Sequence, residues 1–221
     1  MAQSDVVGGL EGLGKDWGAD KEVFRDVPWG KGMMWIFLLS DTFIFTSFLV
    51  GYMTVRMSTT DPWPIPSDVF ALTLFGQSIP LILIAIMTFV LITSSGTMAL
   101  AVNYGYRSDK KKTFWLMAAT AFLGATFVGM QVFEWSKLIE EGVRPWGNPM
   151  GAAQFGSAFF MITGFHGLHV SIGVLYLLIV AFKVRRGDYD ERGYEIVEIA
   201  GLYWHFVDLV WVFIFAFFYL W

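Results

Sequence analysis

Hydrophobic residues gather into five long runs along the chain, approximately 33–53, 79–102, 114–135, 155–182 and 198–221. At about 1.5 Å per residue, each is long enough to cross a hydrocarbon core of roughly 30 Å. Strands of a membrane barrel are about ten residues of alternating polarity, so runs of this length predict helices. Buried helices of a soluble protein would not supply five such runs in 221 residues. The expected fold is therefore all-α: a polytopic five-helix membrane bundle over 32–221, behind a polar tail over 1–31. Pro80 falls in the first turn of the second run, where proline is tolerated. The segment after the first run, with Pro62, Pro64 and Pro66, predicts an irregular connection. No internal repeat or low-complexity segment is visible.

The tail mixes Asp16, Asp20, Glu22 and Asp26 with Lys15, Lys21, Arg25 and Lys31, and no apolar core follows its first residues. It reads as an extramembrane segment rather than a signal peptide, with Val27, Pro28 and Trp29 at the membrane interface. Lys and Arg distribute unevenly between the connections. The tail carries four, the second connection four (Arg107, Lys110, Lys111, Lys112) and the fourth another four (Lys183, Arg185, Arg186, Arg192). The first has Arg56 alone and the third Lys137 and Arg144, so the balance is 12 against 3. That excess predicts a cytoplasmic N-terminus and a C-terminus on the outer side.

Composition agrees and narrows the chemistry. Hydrophobic residues make up 56% of the chain, aromatics 18%, and mean hydropathy is +0.56. With no cysteine, a disulfide framework, an iron–sulfur cluster and covalent c-type haem are excluded. The net charge of −4 is spread over tail and loops and argues for no nucleic-acid partner.

Polar residues inside the runs are the candidate functional groups. A carboxylate at the centre of a membrane helix costs about 2.5–3.5 kcal/mol, so Asp208 must face protein, water or a proton path. The 13 Ile, Leu, Val and Phe residues of 199–221 still let that run insert. Asp41, His166, His169, His205 and Asp208 all fall near the midplane or in its cytoplasmic half, whereas Glu134 sits at the outer end of the third run beside Trp135. In the fifth run Glu198, Gly201, His205 and Asp208 share one stripe, and in the third Thr120, Gly124, Gln131 and Glu134 align likewise. In the fourth, Thr163, His166 and His169 share a face, beside a small stripe of Gly164, Gly167 and Ser171 that would admit a close helix neighbour. Such seams serve as interhelical glue, with histidines paired to carboxylates, or as a proton-related path. A metal or haem site is the third reading, although the i, i+3 spacing of His166 and His169 suits a metal poorly. Trp204 and Trp211 lie on one face and read as interface anchors or packing.

The segment Phe155-Gly156-Ser157, followed by Thr163-Gly164-Phe165-His166-Gly167-Leu168-His169-Val170, resembles cytochrome c oxidase subunit III. So do Glu198, Tyr203-Trp204-His205-Phe206-Val207-Asp208 and Trp211, with Ser40-Asp41 in the first run and Glu134 near the end of the third. The resemblance covers about 31–221 and leaves the acidic tail outside. It implies a short, five-helix bacterial form of a haem–copper oxidase subunit, multi-pass in the inner membrane and without a catalytic residue or metal of its own. Haem and copper are expected in partner subunits, subunit I and subunit II, with or without further small subunits. The implied role in aerobic respiration is support of proton uptake, binding of phospholipids and stability of the subunit that reduces oxygen to water and pumps protons. Carried over, Asp41 takes the place of the family's carbodiimide-reactive glutamate, with one methylene less. Asp208, Glu134 and Glu198 join it as proton-related or intramembrane carboxylates. His166, His169, Trp204, His205 and Trp211 take the places of a structural or lipid-contacting seam. Longer relatives have seven spans, the first two splayed to form a lipid cleft, so here that cleft is open or closed by another subunit. Rival readings are a related subunit of a nitric oxide reductase complex, a free-standing proton-coupled transporter and a b-type haem anchor. The electron donor, cytochrome c or quinol, is a property of other subunits.

Overall fold

The computed structural model describes residues 28–74, 77–190 and 193–221. The expectations for 1–27, and for Arg192, lie outside the described residues. Five long helices carry the chain back and forth: α1 Trp29–Ser58, α2 Ile82–Tyr106, α3 Lys110–Glu140, α4 Ala153–Arg186 and α5 Glu195–Phe215. A π-helical turn, Ala216–Leu220, continues α5. All five are long and apolar enough to span a membrane, as the apolar runs predict.

The helices overrun the apolar runs. α4 has 34 residues, about 51 Å, and so stands well beyond a core of roughly 30 Å. Backbone hydrogen bonding continues into polar sequence until a specific residue stops it. Gly187, at φ 88°, ends α4, with its N–H on the carbonyls of Lys183 and Val184. In the connection from α2 to α3, the Asp109 side chain caps α3 by accepting from the Lys112 N–H at 3.1 Å. The second helix starts later than its apolar run. Pro80 ends a short strand instead of opening the helix, because the residue before a proline is driven to extended backbone. The first connection is thus partly ordered: a one-turn helix, Pro66–Val69, precedes an antiparallel hairpin of β1 (Ala71–Leu74) and β2 (Gln77–Pro80). Pro80 pairs with Ala71 at the open end of that hairpin, where a missing N–H costs least.

Helices α2, α3, α4 and α5 form an antiparallel ring, each packed on the next, and α1 lies outside it against α5 and α4. Trp204 of α5 holds the ring together. It is 1% exposed, donates its indole N–H to Ser94 Oγ of α2 at 2.9 Å, and fills the space left by two glycines, Gly124 of α3 and Gly173 of α4. Towards the first connection, Tyr52, Trp63, Phe70, Phe155, Phe159 and Phe218 close the core with interlocking rings. The outer surface is apolar as well: Phe89 and Phe122 are 70% and 71% exposed, as residues facing lipid should be.

Candidate functional site

The polar residues of α5 meet α2 in antiparallel register. At one end Glu198 accepts hydrogen bonds from Tyr106 of α2 and Lys31 of α1, so one carboxylate ties three helices. Gly201 admits Val102 and Met98. His205 Nδ1 lies 2.6 Å from Ser95 Oγ, and that hydroxyl is also within reach of Asp208. Trp211 donates its indole N–H to Thr88 Oγ1 at 3.0 Å. The stripe seen in the sequence is therefore an α2–α5 seam. Asp208 is buried, with Oδ1 free of a hydrogen bond.

A second centre joins α1 to α4. His169 Nδ1 is 2.8 Å from the Phe165 carbonyl, which can only accept, so Nδ1 carries a proton. Its Nε2 then faces Asp41 Oδ2 at 3.0 Å. Asp41 Oδ2 has no aligned hydrogen-bond donor there. Tyr203 of α5 donates to the His169 carbonyl at 2.9 Å. Both Asp41 and His169 are buried.

His166, three residues earlier, behaves differently. It is fully buried, stacks on Trp211 at 5.4 Å and meets Phe127 edge-on, and neither ring nitrogen has a partner. The expected pairing of histidines with carboxylates thus holds for His169, while His205 pairs with a serine and His166 with aromatic rings. The small stripe on α4 admits its neighbour at one of its two glycines. Gly164 admits the Trp135 ring of α3, where a Cβ would stand 3.1 Å from it, Gly167 meets nothing, and Gly173, outside the stripe, makes a further close approach to Tyr203 and Trp204.

A third centre lies towards the first connection. Gln131 donates to Glu134 Oε2 at 2.7 Å, and the Tyr219 hydroxyl stands 3.2 Å from both carboxyl oxygens. Trp204 and Trp211 are buried inside the bundle, on the structural side of the two roles their sequence position allowed. Among the described residues, no group of three His, Cys, Asp or Glu side chains is placed to hold a metal.

The sequence reading missed Ser94, Ser95 and Tyr219, whose only signal is a polar tip inside an apolar run, and Tyr106, which lies just beyond one. It also missed a groove of about 800 Å³ along α1 and α5. Leu38, Phe45, Leu49, Leu209, Val210 and Phe213 line it, and His205 is one of its few polar groups.

The comparisons with known proteins agree with this architecture. The family model for cytochrome c oxidase subunit III matches residues 20–221. The chain belongs to the cytochrome c oxidase subunit III family. The match begins within the tail, earlier than the motifs alone indicated. Among its relatives, a probable quinol oxidase subunit 3 of Staphylococcus aureus (strain USA300) is 32% identical over 182 residues, 82% of this chain and 84% of the relative. The protein of the same name in Staphylococcus epidermidis is equally similar over the same shares. The chain is accordingly a multi-pass membrane protein of an oxidase family.

Proposed function

We propose that this chain is the accessory subunit III of a bacterial haem–copper terminal oxidase in the inner membrane, with haem and copper held by subunits I and II. The observation that carries the reading is the family match over nearly the whole chain, from residue 20 to Trp221. The names of the staphylococcal relatives favour a quinol as the electron donor of the complex. The gathering of Lys31, Lys110 and Arg186 at one end of the bundle supports a cytoplasmic N-terminus.

The polar centres suit support rather than chemistry. Asp41, His169, Glu198, His205 and Asp208 engage neighbouring helices of the chain, so their first effect is to fix the helices of the bundle to one another. The groove between α1 and α5 suits phospholipid: it is long, apolar and open to the side, and it matches hydrocarbon in polarity. Lipid held there would sit between this subunit and whatever lies beside α1.

Native mass spectrometry of the tagged protein, released from membranes in mild detergent, tests both parts. The expected species contains an oxidase catalytic subunit and retained phospholipid, and Leu209→Trp, which puts an indole into the groove, lowers the lipid count without dissociating the subunits. An unchanged lipid count in Leu209→Trp would refute the groove as the lipid site.

A further inference from the structure

A small crevice reaches the buried carboxyl of Glu134. We propose that Glu134 is a proton-exchange site, served by one water molecule bound between the first connection, α2 and α3. The crevice measures about 10 Å³ and is lined by Val69 and Phe70, Leu83 and Ile84, Lys137 and Glu134 itself. A water needs roughly 10–15 Å³ measured this way, so one fits and two do not. A hydrated ion, a phosphate or an acyl chain is excluded by size. The Glu134 carboxyl offers the water a polar partner, and Lys137 is the other polar residue among the described ones lining the crevice.

The opposite side of the carboxyl is built for either protonation state. Gln131 lies 2.7 Å from Oε2, and its own Oε1 is buried without a hydrogen-bond partner. Turned one way, the amide donates to a carboxylate; turned by half a revolution, its oxygen accepts from a carboxylic acid at the same separation. The Tyr219 hydroxyl, equidistant from both oxygens, can follow either arrangement. The charged and titratable groups facing Glu134 are Tyr219 beyond α5 and Lys137 on α3, whose ammonium also lies 3.5 Å from Glu141. Among the described residues of the crevice wall, the first connection and α2 contribute only apolar side chains. A proton from solvent therefore passes to the bound water and from it to a carboxyl oxygen, and only O–H bonds form and break.

The site is independent of the subunit assignment and can be read in the full chain reconstituted in lipid nanodiscs. Infrared spectroscopy would follow the carbonyl stretch of protonated carboxylic acid through a pH titration and a jump into heavy water. Glu134→Gln, which keeps the hydrogen-bond geometry, should remove a pH-dependent band that Asp41→Asn leaves in place. Leu83→Trp, which fills the crevice, should keep that band but slow its deuterium shift at least about tenfold, because exchange then waits for local opening. Thermal unfolding checks that each variant is folded. A pH-dependent spectrum unchanged by Glu134→Gln would overturn the site, and wild-type exchange in Leu83→Trp would overturn the water route.

Discussion

Replacing Gly124 with alanine tests the interlock on which the ring of helices depends. A Cβ at this position would lie 2.8 Å from Trp204 Cζ2 and 2.8 Å from Val174 Cγ2, well inside contact distance. Trp204 has nowhere to go. Its indole is anchored to Ser94, and its other face rests on Gly173, where a Cβ would stand 3.0 Å from Cζ3. Overpacking of this kind costs about 1–3 kcal/mol. Alanine also gains up to about 1 kcal/mol of helix propensity over glycine, which works the other way. Gly129→Ala isolates the two effects, because Gly129 lies on the same helix with nothing within 4 Å. Unfolding in mixed micelles with increasing denaturing detergent, followed by tryptophan fluorescence, should place Gly124→Ala about 1–3 kcal/mol below Gly129→Ala. In a Trp204→Phe background the gap should narrow by at least about 0.5 kcal/mol, the coupling expected of residues in contact. Equal stabilities for the two alanine variants would refute the interlock.

The same unfolding assay checks two further centres. Asp41→Ala leaves His169 Nε2 buried without its partner and should cost about 1–3 kcal/mol, most of it recovered in Asp41→Leu with His169→Leu. Glu198→Ala removes the tie to Lys31 and Tyr106; the partly exposed ion pair contributes up to about 1 kcal/mol and the hydrogen bond about 1, so a loss of about 1–2 kcal/mol is expected. Outside the membrane, burial and then the hydrogen bond to Asp190 push the Tyr194 phenol up to about 12. Because the folded value exceeds the unfolded value of about 10, this contribution is present below pH 10 and lost as pH rises through about 12. The tyrosinate absorbance difference between wild type and Tyr194→Phe should show that late titration. A component near pH 10 would contradict it.

The five helices were legible because a hydrocarbon core demands about twenty apolar residues, and nothing else in the chain imitates that signal. Their ends were not, since capping by Asp109 and Gly187 depends on local backbone rather than hydropathy. The α5 stripe of Glu198, Gly201, His205 and Asp208 was readable at helical spacing, yet its partners on α2 were single serines and a tyrosine with no pattern of their own. Periodicity also could not separate His166 from His169. Three residues turn a helix by about 300°, so the two side chains diverge by some 60°, enough to send one to Asp41 and the other into aromatic rings. The groove was invisible because it is made by what α1 and α5 fail to touch.

The most direct test of the subunit assignment is affinity purification from native membranes in mild detergent through a tag on this chain, read by visible spectroscopy, subunit stoichiometry and oxygen consumption. The account predicts haem absorbance, a catalytic oxidase subunit in near-equal amount, and oxygen uptake driven by quinol. Recovery of the chain alone, colourless and without oxygen uptake, would contradict it.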